Sequence, residues 1–273
     1  MDVAIIGMGN WGTSLAHGCL QAGIRLREVV IRKRLPSRSE LPVVRMAEAR
    51  LDAEVLWLCV RDGEIASVAE DIVAKRKRLN GQIVVHSSGA LNAKALQAAK
   101  RAGALVGSIA PVMSFPTRKP VSIKGIIFAV EAEPKIQRTL ESIVCRLGGI
   151  RFRVASAKKP MYHAAATLSS PLLVSEISAA MSVARLAGLS QNQAKKWVSA
   201  LAQATLTNFT LRGAEKSFSG PFMRGDVDTI RLHLRSLHKH PILKEIYGSL
   251  ARFAVEELPV QRRGELKSLL KAR

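Results

Sequence analysis

A chain of 273 residues carries 42 lysines and arginines against 21 acids, a formal net charge of +21, with 48% hydrophobic and 4% aromatic residues. That length holds one large domain or two ordinary ones, with a core resting on Leu, Val, Ile and Ala rather than on rings. Three scattered cysteines (Cys19, Cys59 and Cys145) exclude a disulfide framework and a structural zinc, and favour a reducing, cytoplasmic compartment.

The opening MDVAIIGMGN turns glycine-rich at once and predicts no secretory leader. No stretch reads as the 18 or more apolar residues of a membrane span. The positive charge raises encounter rates with any anion, including nucleic acid. Its runs at 32–34, 75–78 and 262–273 are spread over many elements without interleaved aromatics, so neither a nucleic-acid nor a membrane partner is expected.

Residues 2–7, DVAIIG, read as a strand and 10–22 as an amphipathic helix, with Gly7, Gly9 and Gly12 between and within them as G-x-G-x-x-G. The first glycine permits a tight turn, the second lets backbone approach a pyrophosphate, and the third lets the helix pack on the strand. The helix start adds free N–H groups and a partial positive charge. Gly7, Met8, Gly9, Asn10, Trp11 and Gly12 are therefore the expected cofactor loop. The second strand, 28–33, ends on Arg32, Lys33 and Arg34 where an NAD-binding domain carries an acid for the ribose 2′-hydroxyl. Guanidinium groups there hold a 2′-phosphate, which predicts NADP(H).

Strand 54–60 leads into Val60, Arg61 and Asp62 at the start of a helix over 62–79, and strand 82–87 leads into Ser87, Ser88 and Gly89. Ligands of such sheets sit outside the carboxyl ends of the strands, so both groups are expected at the cofactor. A helix over 91–102, strands at 104–109, 125–130 and 150–154, and a helix over 133–147 complete the alternation. Continuous apolar strands between helices predict a Rossmann-like, doubly wound parallel sheet over residues 1–155.

Beyond SAKKP (156–160) the strand signal stops, and 156–273 reads as an all-α domain for substrate and dimerisation. Residues 161–189 form a helix with a kink or break at Pro171, and Ser190 to Gly213 bracket the next helix. A loop over 214–225 precedes helices at 226–238, 241–257 and about 259–271. Lys159, Tyr162 and His163 cluster where the first long helix begins, facing the domain junction. Asp226 can cap a helix carrying Thr229 and His233 one turn apart, and Arg224 could clamp a substrate carboxylate beside it. Hydride transfer needs a proton donor, and His163, His233 or Lys159 could serve. His238 and His240 read as loop residues, and no metal is expected.

The segments HSSGAL, GSIAPVMSF, YHAAATLSS and GPFMRGDVDTIRLHL occur in the order of motifs in a family of oxidoreductases that join a Rossmann-like domain to domain of unknown function 2520. The chain resembles that family over nearly its whole length, and more widely the 6-phosphogluconate dehydrogenase-like superfamily with its pyrroline-5-carboxylate and ketopantoate reductases. The resemblance implies NADPH-dependent reduction of a small keto or imino acid, with ketopantoate a candidate, and a homodimer formed through the helical domain. Relatives carry His-Pro where this chain has Ala110-Pro111, and Ser-Asn where it has Ser170-Pro171. Those departures keep a second expectation open, a regulator that binds NADP without turnover; the charge alone supports a third, a nucleic-acid binder.

Overall fold

The computed structural model describes residues 1–32 and 40–271. It divides into two compact units, Met1–Thr167 and Leu168–Arg273. Lys33 and Arg34 lie outside the described residues.

The first unit is built on one eight-stranded sheet in the order β3-β2-β1-β4-β5-β6-β7-β8. Its strands are β1 (Asp2–Ile6), β2 (Arg25–Ile31), β3 (Val43–Arg45), β4 (Val55–Leu58), β5 (Ile83–His86), β6 (Leu105–Pro111), β7 (Ile127–Ala132) and β8 (Ile150–Arg153). Alternate residues of the inner strands feed two cores, as the two-residue period of a strand requires. Val3, Ile5, Trp57 and Val85 meet α1 (Asn10–Gln21) and α4 (Pro134–Arg146) on one face. Ala4, Ile6, Leu56 and Val84 meet α2 (Ile65–Arg76) and α3 (Gln97–Arg101) on the other. The chain winds outward from β1 in both directions, so the crevice of the fold opens between the carboxyl ends of β1 and β4.

Seven of these strands follow the apolar runs of the sequence. The eighth, β3, is a three-residue edge strand, too short to register as a periodic pattern. The sheet also departs from wholly parallel pairing, because β7 runs antiparallel to β6. Residues 112–126 between them form no helix. Without a crossover helix to carry the chain back, the next strand pairs in the opposite sense.

The first unit extends past residue 155 to include most of α5 (Lys159–Ser169), because the Lys159 side chain is sunk into the sheet. Ser170 leaves helical geometry (φ −131°, ψ −84°), and Pro171 starts α6 (Pro171–Leu186), so the proline marks a break. Contrary to the expectation of no such stretch, Ser156–Leu186 contains an 18-residue window of mean hydropathy 1.2, the length and composition of a membrane-crossing segment.

In the second unit α6 packs on α7 (Gln191–Ser217) through Ala184, Ala194 and Val198. Ser190 and Gln193 close a reciprocal cap at the start of α7. The expected stop at Gly213 is a kink (φ 76°, ψ 178°), and helix resumes to Ser217. The expected 214–225 loop is thus mostly helical, including the short α8 (Gly220–Arg224). A separate core of Val227, Ile230, Val255 and Leu266 joins α9 (Val227–Ser236), α10 (Pro241–Glu257) and α11 (Arg263–Lys271).

Candidate active site

The turn after β1 shows why each of its glycines is there. Gly7 has φ +112° and donates its N–H to the Val30 carbonyl (2.9 Å); a β-carbon on it would stand 2.4 Å from the Cys59 carbonyl oxygen. A β-carbon on Gly12 would stand 2.0 Å from the Gly7 carbonyl oxygen, so α1 rests directly on the turn. Above Gly9 there is open space. Gly9 is also the N-cap of α1, with no side-chain cap and no acid in the first turn, so the helix start faces outward with unmet N–H donors.

That opening is a cavity of about 600 Å³ whose lining includes Gly7, Met8, Gly9, Arg32, Val60 and Arg61. Arg32 directly follows the last residue of β2, its side chain 45% exposed, with Glu64 (3.5 Å) and Asp71 (3.4 Å) only at the limit of contact. Exposed pairs at such distances contribute little, so the guanidinium is available to a stronger anion. Asp62 begins a short 3-10 turn capped by Arg61 and is exposed beside the cavity.

Three side chains of the expected cofactor set also have partners within the fold. Asn10 donates its amide to the Phe115 carbonyl (2.7 Å). The Trp11 ring packs on Phe115 and Phe128, and its indole N–H donates to Ser87 Oγ (2.7 Å). Ser87 Oγ also accepts the Trp57 indole N–H (2.8 Å), so this hydroxyl is occupied on the α1 face of the sheet. The alternation of the strand then sends Ser88 to the opposite face.

On that face lies a buried polar row that sequence reasoning did not find. His86, Ser108 and Glu131 are cross-strand neighbours on β5, β6 and β7, and all three are buried. His86 accepts the Ser88 N–H at Nδ1 (3.1 Å), so Nε2 carries the proton and donates to the Asn92 carbonyl (3.1 Å). Burial, with the charge of Lys159 next, pushes the imidazole down to about 4, so it stays neutral and clamps the 86–92 turn.

Lys159, 1% exposed, reaches down from α5 into this row. Its ammonium donates to the Ser88 carbonyl (2.8 Å) and to Ser108 Oγ (2.6 Å), and the Ser108 hydroxyl in turn donates a hydrogen bond to Glu131 (3.2 Å). Glu131 further accepts from Ser156 (2.5 Å) and from the Ala93 N–H (3.0 Å). Burial outweighs the attraction of Glu131 and Asp62 and pulls the lysine down to about 8. One helical turn on, on the same face of α5, His163 lies half-buried: a β-carbon on Gly89 would stand 3.5 Å from its Nδ1. Tyr162 flanks it, its ring edge-on to Phe152 at 5.6 Å. Lys159, His163, Ser88 and Gly89 are thus brought together. Ala110 lies two residues along from Ser108 on the same strand face and is 2% exposed.

No spacing rule ties His86, Ser108 and Glu131 together, because they lie on three strands. The only sequence signal was polarity inside apolar strands.

The remaining candidates belong to the second unit. Arg224 gives Nε and Nη2 to one oxygen of Asp226 (3.0 and 2.7 Å), so the proposed carboxylate clamp is held by its own neighbour. Asp226 stands at the N-cap of α9 without a side-chain cap bond, and Thr229 is exposed on that helix. His233 bonds through Nδ1 to the Tyr247 hydroxyl (2.9 Å).

Residues 1–111 match the Rossmann-like domain and residues 126–253 match domain of unknown function 2520. Among solved structures, the chain is similar to a proposed NADP oxidoreductase from Bacteroides fragilis (21% identity, TM-score 0.74, covering 94% of this chain and 98% of that one). It is similar to an imine reductase from Myxococcus stipitatus in complex with NADP+ (16%, 0.69, covering 99% and 100%). It is also similar to pyrroline carboxylate reductase from Plasmodium falciparum with NADP bound (15%, 0.59, covering 99% and 96%). At these identities the likeness is one of fold. No curated protein matches the sequence significantly.

Proposed function

Since the chain belongs to the family that joins a Rossmann-like domain to domain of unknown function 2520, we propose that it is an NADPH-dependent reductase of a C=O or C=N bond in a small keto or imino acid. The observation that carries this reading is the open space over Gly9 beside an uncapped helix start, at the switch point of the sheet. Gly7, Met8 and Gly9 would hold the pyrophosphate by backbone, and Arg32 the 2′-phosphate. Val60 and Arg61 line the same cavity, and Ser88 and Gly89, after β5, would border the path of its nicotinamide end. When bound, the dinucleotide supplies the hydride.

The protein then has to supply a proton and a field. His163, beside Gly89 and half open, gives the proton to the oxygen or nitrogen of the reduced bond. Lys159 beneath it fixes the turn that carries Ser88 and Gly89, and its buried charge stabilises negative charge building above it. A net charge of +21 favours an anionic substrate such as a ketopantoate-type acid.

Oxidation of NADPH against a panel of keto acids and cyclic imines tests the reading; tight NADPH binding with no turnover on any of them leaves the regulator as the better account. Cofactor choice is tested separately. NADPH should bind at least about tenfold more tightly than NADH, roughly 1.4 kcal/mol, and Arg32→Asp should erase or reverse that preference. Equal affinities in the parent protein would overturn the assignment.

We also propose a homodimer formed through α6 and α7. A groove of about 1000 Å³ runs between them, and Trp197, Leu201, Leu206 and Phe209 are each more than half exposed along it. An exposed apolar surface of this kind needs a partner. Light scattering at micromolar concentration should give twice the chain mass of 29.6 kDa; the mass of a single chain would overturn the proposal.

A further inference from the structure

We infer that Arg118 is a second phosphate-holding residue of the crevice, closing on the pyrophosphate from a segment that no glycine or strand-end motif marks. The inference rests on the dinucleotide reading above and adds a residue to it.

Residues 112–123 cross from β6 over α1 and are fastened to it along their length. Asn10 donates to the Phe115 carbonyl (2.7 Å), and the Phe115 ring lies 5.0 Å from that of Trp11. Further on, the Val121 N–H donates to Ser14 Oγ (3.3 Å), and Ile123 fills the notch at Gly18, where a β-carbon would stand 2.2 Å from its methyl. Arg118 lies between these anchors and lines the same cavity as Gly7, Gly9, Thr13 and Arg32. It has no ion-pair or hydrogen-bond partner among the described residues.

An unpaired guanidinium at the lining of a cavity that also holds Arg32, Arg61 and an uncapped helix start places positive charge on positive charge. Glu64, the one carboxylate among the described residues of that lining, already faces Arg32. An anion in the cavity relieves the repulsion. The anchors decide which one: they grip Asn10 and Ser14, in the first turns of α1, and the start of that helix is where a pyrophosphate rests. Arg32 stands instead at the end of β2, on the side of the ribose 2′-position.

Fluorescence titration of the full chain with NADPH and with NADH separates the roles. Arg118→Ala should raise both dissociation constants by about tenfold, since both ligands share the pyrophosphate, and Arg118→Lys by less. Arg118 is exposed, so an unchanged melting temperature checks that the fold is intact. Dissociation constants within twofold of the parent would overturn the inference. Weakening of NADPH alone would also overturn it, by moving the contact to the 2′-phosphate. A parent protein that binds neither dinucleotide would instead overturn the reading on which the inference rests.

Discussion

Lys159→Met should lower kcat for carbonyl or imine reduction by about a hundredfold or more, with NADPH affinity changed little. The expectation follows from the cost of placing the lysine where it is. Its ordinary value of 10.5 falls to about 8 in the fold, chiefly through burial, which amounts to about 3 kcal/mol against the folded state. That penalty is fully present below pH 8, where both the folded and the unfolded chain carry the proton. It is relieved between pH 8 and 10.5, where the unfolded chain binds the proton and the native one does not, so this group makes stability rise with pH in that window. Structure alone does not require so costly an ammonium, since Ser108, Ser156 and the Ala93 N–H already serve Glu131.

If the charge stabilises the developing anion, reduction should decline as pH rises through about 8, and Lys159→Met should lose that limb of the profile together with the rate. His163→Ala should also cost about a hundredfold in kcat, and the double variant little more than the worse single one, because the two residues act on one event. Normal turnover in Lys159→Met, with a lower melting temperature as its only defect, would show that the lysine merely ties α5 to the sheet.

What the sequence showed and what it hid divide along a physical line. The central strands of the first unit are mainly apolar runs, and the glycine triplet stands between a strand and a helix, so both could be read from local order alone. Arg32 could be read the same way, because it ends a strand at a fixed distance from that triplet. The row His86, Ser108 and Glu131 could not, since its members meet only through strand register. Asn10, Trp11 and Ser87 show the converse. They stand at motif positions, yet tertiary partners unknown to the sequence, Phe115 and Trp57, take up their side chains. The turn of β7 against β6 was hidden because nothing in an apolar run records its direction; the missing helix over 112–126 was the available clue.

The glycine triplet itself supplies the other large effect, and it should split in two. Gly12→Val should destabilise the fold by about 3 kcal/mol or more, because its first side-chain atom would lie 2.0 Å from a backbone oxygen of Gly7 that cannot retreat without opening the turn. Gly9→Val should do the opposite. Gly9 has φ −81° and ψ −168°, an extended conformation that a β-branched residue accepts, and nothing lies within 4 Å of its β-position. Changing the N-cap from glycine to valine costs about 1 kcal/mol at most. The valine side chain would, however, stand where the proposed pyrophosphate would lie, over the uncapped start of α1. NADPH affinity should therefore fall by about a hundredfold or more while the melting temperature moves by only a few degrees. Gly9→Ala should give an intermediate loss. Chemical denaturation beside a dinucleotide titration measures both quantities on each variant. If Gly9→Val bound NADPH as the parent does, the space above Gly9 would not be the pyrophosphate site, and the glycines would be explained by the packing of α1 on β1 alone.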